Sequence, residues 1–320
     1  MRTRLVFLCV GLGCATASSF ASFELVMVGD STTGKVHRFD GISGSYLGAF
    51  GEGEVTSTSE IAAHAGSDTC FIRNTPSGAI YRYNYNTGEF MGAISAVSGA
   101  YFNILSDGTF LTVSTTLMRR YNQSGTLLET FLPPTGGAFI QDRGFAAQLS
   151  NGRIIAHATN SAGTKGFTSY VLGIAFAGPF TGYASSGTNI GGVSASGFSI
   201  AFKGNFGSDI SSTWTFNAAG NFTSNADNGS LPVVLTSPTD TAFGHQGRYF
   251  VSGINAANAA QGIVSRADSI PGGGNRGTFG TSILKTPVSI TTVVAPEPGT
   301  MLALTAGIGM LVRKRRRLQK

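Results

Sequence analysis

One hairpin is written into this chain several times. Val36-His37-Arg38-Phe39-Asp40, followed by Gly44-Ser45-Tyr46-Leu47-Gly48-Ala49-Phe50, returns 44 residues later as Ile80-Tyr81-Arg82-Tyr83-Asn84, followed by Gly88-Glu89-Phe90-Met91-Gly92-Ala93-Ile94. Arg119-Arg120-Tyr121-Asn122 with Gly125-Thr126-Leu127-Leu128-Glu129-Thr130-Phe131 is a shorter copy, and Trp214-Thr215-Phe216-Asn217 with Gly220-Asn221-Phe222 a fainter one. Each reads as an alternating strand ending in an aromatic residue and then Asp or Asn, a turn closed by glycine, and a second apolar strand. A second element, Leu105-Ser106-Asp107-Gly108-Thr109-Phe110-Leu111, recurs as Leu149-Ser150-Asn151-Gly152-Arg153-Ile154-Ile155, and Gly247-Arg248-Tyr249-Phe250-Val251 follows the same plan.

Marking the first strand of each unit at 24–28, 69–72, 109–113, 153–156, 198–202 and 248–251 gives spacings of 45, 40, 44, 45 and 50 residues. A period of roughly 40 to 50 residues is that of a four-stranded propeller blade. The expected fold is therefore all-β, a β-propeller of about six four-stranded blades. It resembles the NHL and related propellers in the strand, polar turn and Gly-x-apolar-apolar strand of each unit. A blade cannot bury both its faces alone, so Phe39, Leu47, Phe50, Tyr83, Met91, Ile94, Tyr121, Leu128 and Phe131 are expected between blades. Arg38, Arg82 and Arg120 share one place in the repeat, where they read as strand residues rather than a ligand ring.

The ends of the chain carry a different kind of information. Arg2 and Arg4, an apolar stretch over residues 5–13 and Ser19-Phe20-Ala21 before Ser22 have the order of a secretory signal peptide cut between Ala21 and Ser22. At the other end stand Pro296-Glu297-Pro298, an apolar run over residues 301–312 and a basic block. The run, with Met301, Leu302, Leu304, Ile308, Leu311 and Val312, is about half the roughly 20 residues a spanning helix uses. Arg313, Lys314, Arg315, Arg316 and Arg317 stay in water or at headgroups and act as a stop, with the C-terminus inside.

That three-part order resembles the PEP-CTERM sorting signal of bacterial exported proteins. The resemblance implies an exosortase substrate, cut near Pro296, Glu297 and Pro298, which are recognition residues here. It also implies an inner-membrane precursor, a short transmembrane helix held transiently in the membrane, and release to the envelope or exterior of bacteria that make exopolysaccharide. Partners so implied are the export machinery and an exosortase-type enzyme, with polysaccharide or an envelope protein as the ligand class. The expected organisation is signal peptide 1–21, repeat domain 22–282, linker or closing strand 283–295 and sorting signal 296–320.

Charge supports this division. The chain has 22 Lys and Arg against 16 Asp and Glu; leaving out the eight basic residues and the one acid of the two end segments gives 14 against 15 over residues 22–295. The basic pI belongs to the targeting segments, and a nucleic-acid partner loses its support. With Cys9 and Cys14 in the signal, Cys70 alone is left and no intrachain disulfide can form.

Catalytic motifs are missing: there is no H-E-x-x-H, C-x-x-C, G-x-S-x-G or P-loop. His37, His64, His157 and His245 fall in different repeat units. Gly272, Gly274 and Gly277 match a dinucleotide fingerprint without its strand-to-helix context and read as a loop. No catalytic residue, metal ligand or cofactor is therefore assigned. The expectation is a non-catalytic binding or interaction module; the alternative is a secreted propeller hydrolase or lyase acting on glycans or lactones with a divalent metal in its channel. Tyr46, Tyr81, Tyr101 and Trp214 are the aromatic residues that could stack on sugar rings. The exported protein is expected to begin at Ser22, which intact-mass measurement on material from the native cell checks; retention of residues 1–21 would refute the signal reading.

Overall fold

In a computed structural model the described residues run from 22 to 296, apart from 52, 54, 75–76, 96, 98, 100, 142–144, 183–190, 197–198, 206–208, 231–234, 245–247 and 269–274. The predicted signal peptide and residues 297–320 lie outside them. Among the described residues the helical content is one 3-10 turn, Ala65–Ser67, and no helix is long and apolar enough to cross a membrane. The remaining regular structure of the described residues is β-sheet, and Glu24–Val293 forms one compact unit.

The first sheet holds Ser22–Asp30, Val36–Asp40 and Tyr46–Phe50, joined by Pro287–Pro296 from the far end of the chain. The second is Thr58–His64, Thr69–Asn74, Ile80–Asn84 and Phe90–Ile94; the third Tyr101–Ile104, Phe110–Val113, Met118–Tyr121 and Leu127–Phe131. In the fourth, Ile154–Thr159, Lys165–Tyr170 and Phe180–Gly182 follow one another, while Ala138–Phe139 and Ala146–Gln148 both pair with Ile154–Thr159. Gly191–Ser196, Ser199–Asn205, Asp209–Phe216 and Phe222–Ser230 make the fifth, and Leu235–Phe243, Arg248–Asn255, Asn258–Asp268 and Asn275–Phe279 the sixth. This is a β-propeller.

Two expectations are corrected here. Five sheets are four-stranded blades of the expected kind, but the fourth has five strands, because its inner edge is made in two pieces that meet the two ends of Ile154–Thr159. The strands that mark the repeat are also second in their sheets, not first. Other first strands escaped detection because their sequences, TSEIAAH and GGVSAS among them, share no turn motif.

The repeated hairpin follows from its turn chemistry. Asp40 Oδ1 accepts from the amides of Ile42 at 2.8 Å and Ser43 at 2.6 Å, and Asn84 Oδ1 from those of Asn86 and Thr87, both at 2.9 Å. Gly44 and Gly88 close these turns at φ of 75° and 78°, a region costly for residues with a Cβ.

Apolar clusters knit neighbouring sheets. Ala62, Phe71, Phe102 and Phe110 join the second and third, and Ala147, Ile155, Phe167 and Trp214 the fourth and fifth. Of the positions expected between blades, Phe39, Phe50, Tyr83, Ile94, Tyr121 and Phe131 are buried. Leu47, Met91 and Leu128 are not: they sit on outermost strands and are 40%, 45% and 48% exposed. Alternation along a strand does not reveal whether the strand is the outermost of its sheet.

Arginines of the third strands tie one sheet to the next. Arg38 donates to the carbonyls of Tyr85 at 2.9 Å and Asn86 at 2.7 Å, in the turn of the second sheet. Arg266 does the same from the sixth sheet to Gly41 and Ile42 of the first. Arg120 instead pairs within its own sheet, with Asp107 at 2.5 Å and Glu129 at 3.6 Å.

The last sheet and the first are held together by buried polar groups. Arg248 forms an ion pair with Glu24, whose side chain is fully buried, and a Cβ at Gly41 would stand 2.7 Å from the Glu24 Cγ. Asp30, also fully buried, accepts from the amides of Thr32 at 2.9 Å and Thr33 at 3.1 Å, and from those of Lys285 at 2.6 Å and Thr286 at 3.1 Å. It thus holds its own turn and the approach to the closing strand at once. Asp30→Ala is expected to lower unfolding free energy by about 2–4 kcal/mol, since charge-assisted bonds are lost and buried amides left without acceptors; urea unfolding at neutral pH measures it, and a change near zero would mean the closing strand is held elsewhere.

Candidate functional site

The first strands of the second, third and sixth sheets, Ala146–Gln148 of the fourth and Pro287–Pro296 of the first line a cavity of about 230 Å³. Its polar lining includes Glu60, Asn103, Gln148, Asp240, Ser289 and Thr292, set among Ala62, Ala147 and Ala242. This is where a propeller that binds a small molecule along its axis would hold it.

Most of these polar groups are engaged across sheet boundaries. Glu60 Oε2 accepts from the amide of Phe102 at 2.7 Å, linking the second sheet to the third. Asn103 Nδ2 donates to the carbonyl of Ala146 at 2.5 Å, and the amide of Ser106 donates to Gln148 Oε1 at 2.7 Å, linking the third to the fourth. Asp240 Oδ2 accepts from Ser289 Oγ at 2.7 Å and from the amide of Ile290 at 2.9 Å, linking the sixth to the first. Thr292 Oγ1 donates to the carbonyl of Phe243, and Ser289 Oγ lies 3.4 Å from the carbonyl of Ile61. Inner strands present backbone groups on an open edge, and in this chain polar side chains of neighbouring strands satisfy them.

Arg73 stands opposite Glu60 in the second sheet and donates to the carbonyl of Gly99. Burial pulls its guanidinium below the ordinary value, opposed by the charges of Glu60 and Tyr101. Among the described residues no three His, Cys, Asp or Glu come together in a way that could hold a metal ion. His157 is buried against Phe167, and His37 is buried between Thr33 and Tyr46, with burial lowering its pKa. His64 contacts Ser67 at 2.9 Å and the carbonyl of Ser106 at 3.2 Å. His245 lies outside the described residues. Cys70 is buried, and burial raises the pKa of its thiol.

Of the aromatic residues considered for sugar stacking, Trp214 is in the core, edge-on to Phe167 at 5.4 Å and tilted against Phe222 at 4.7 Å. Tyr46 is exposed, while Tyr81 and Tyr101 are half-buried. Of the residues expected at the signal cleavage site and in the sorting signal, Pro296 is the last residue of the closing strand and Ser22 the first of Ser22–Asp30. Ala21, Glu297, Pro298, the run from Met301 to Val312 and the basic block are outside the described residues.

Sequence reasoning missed the polar residues of the axis. A signal was present, since Glu60, Asn103 and Gln148 follow one another at 43 and 45 residues, close to the period of the hairpins.

No family model matches the chain, and no curated protein sequence matches it. Solved structures do match. A Bacteroides caccae protein of unknown function aligns at TM-score 0.58 and 12% identity over 85% of this chain and 99% of its own. A chain of a nidogen/laminin complex aligns at TM-score 0.59 and 11% identity over 85% and 99%. The periplasmic gluconolactonase of Pseudomonas aeruginosa aligns at TM-score 0.51 and 16% identity over 86% and 100%. At such identities the likeness is one of fold.

Glu60→Ala is expected to destabilise the protein by about 1–3 kcal/mol, because the buried amide of Phe102 loses its acceptor. Glu60→Gln keeps an acceptor and is expected to cost less. Equal and negligible effects of both changes on the urea midpoint would show that the tie carries no stability.

Proposed function

We propose that this chain is an exported bacterial envelope or extracellular-matrix protein whose propeller is a non-catalytic interaction module, delivered by a C-terminal sorting signal. The observation that carries the reading is the closing strand. Pro287–Pro296 completes the first sheet and ends on the first residue of the Pro-Glu-Pro motif, so the propeller is complete before the apolar run and basic block begin. Export machinery and an exosortase-type enzyme are its processing partners, and no nucleic-acid partner is proposed.

The hydrolase alternative asks for carboxylates directed at substrate. Glu60 and Asp240 instead hold backbone amides of neighbouring sheets, which favours an interaction module over a catalyst. Replacing Pro296, Glu297 and Pro298 together with alanine is expected to leave a precursor in the membrane fraction that retains Arg313 to Arg317, read by fractionation and intact mass. Release at the normal mass would overturn the sorting role.

A further inference from the structure

The outermost strands of three consecutive sheets each open on a pair of exposed apolar residues: Tyr46 and Leu47, Phe90 and Met91, Leu127 and Leu128, all between 40% and 49% exposed. The pairs occupy equivalent places in the repeat, so the same feature is set along successive sheets of one stretch of the outer edge. Exposed outer strands are usually blunted by charge. Tyr46–Phe50 and Phe90–Ile94 contain no charged residue at all.

These edges are nevertheless unsuited to pairing with another strand. Gly48 and Gly92 take φ of 107° and 116° in mid-strand, which breaks the extended backbone. Arg38 Nη2 and Arg82 Nη2 donate to the carbonyls of Leu47 at 3.5 Å and Met91 at 3.3 Å, occupying the edge acceptors. In the third sheet Glu129 takes the place of the glycine and pairs with Arg120. In the first and second sheets the side chains are offered and the backbone is not. That combination fits an apolar phase with no strand to contribute.

We propose that this arc is a lipid-contacting surface, seated at the bilayer interface while the tail is held in the membrane. The inference rests on the reading of the tail as a membrane hold. Glu297, Pro298, Gly299 and Thr300 alone separate the closing strand from Met301, and when extended they reach at most about 14 Å. A tail in the bilayer therefore keeps the propeller within reach of the headgroups. Tyr, Phe, Leu and Met are side chains suited to the headgroup and acyl boundary.

The test uses residues 22–320, the chain left once the expected signal peptide is removed, in which Cys70 is the one cysteine and is buried from the labelling reagent. An environment-sensitive fluorophore is attached at Leu47→Cys, Met91→Cys or Leu128→Cys, with exposed Ala162→Cys as the reference outside the arc. Each protein is mixed with vesicles of phosphatidylethanolamine and phosphatidylglycerol. The expected result is flotation with the vesicles, blue-shifted and brighter emission at the three arc positions, quenching there by spin-labelled lipid, and little change at position 162. Flotation with aqueous emission from the arc would overturn the lipid surface while leaving the tail reading intact. Failure to float would overturn both. A shift that appears without vesicles and grows with protein concentration would assign the arc to contact between copies and overturn the proposal.

Discussion

Closure is the constraint on which the rest of this structure depends. Asp30 accepts from the amide of Lys285, 255 residues away, and the strand that follows fills the inner place of the first sheet. Bringing such distant segments together costs about 5 kcal/mol of chain entropy by the logarithmic loop law. Burial of the closing strand between sheets, with Ile290 in a cluster with Val26, Val28 and Phe250, offsets that cost. Fully buried acids at the same seam, Glu24 and Asp30, have firm partners because an unpaired charge there would be untenable.

The polar groups of the axis obey the same logic. An inner strand has one neighbour, so its other edge faces the centre with donors and acceptors unspent. Glu60, Asn103, Gln148 and Asp240 engage them across sheet boundaries, and the cavity is thereby stitched together. The outer side has the opposite economy: arginines close the edge carbonyls while apolar side chains stay in solvent.

The sequence disclosed those parts of the fold whose geometry demands particular residues. The turn after Asp40 or Asn84 needs a side-chain acceptor and a left-handed glycine, so it leaves a signature that repeats. Inner strands need an edge satisfied by whatever polar residue reaches it, which Glu60, Asn103 and Ser289 do in different ways, so they share no motif and the repeat was read one strand out of phase. Leu47, Met91 and Leu128 were misread because an apolar residue on an outer strand looks like one from the core. The doubled inner edge of the fourth sheet has no counterpart in the repeat and was not foreseen. The polar lining of the cavity was faintly legible as a polar residue recurring near the hairpin period, and the residues of the expected sorting signal, Pro296 apart, lie outside the described residues.

Because the first sheet is assembled from both ends of the chain, it is the earliest sheet to be synthesised and the latest to be finished. Until Pro287–Pro296 has emerged, Ser22–Asp30 lacks its inner neighbour and the circle of sheets stays open. Such a propeller closes only once the last of these strands has met the first. The step that completes the fold is therefore the docking of the strand that ends at Pro296.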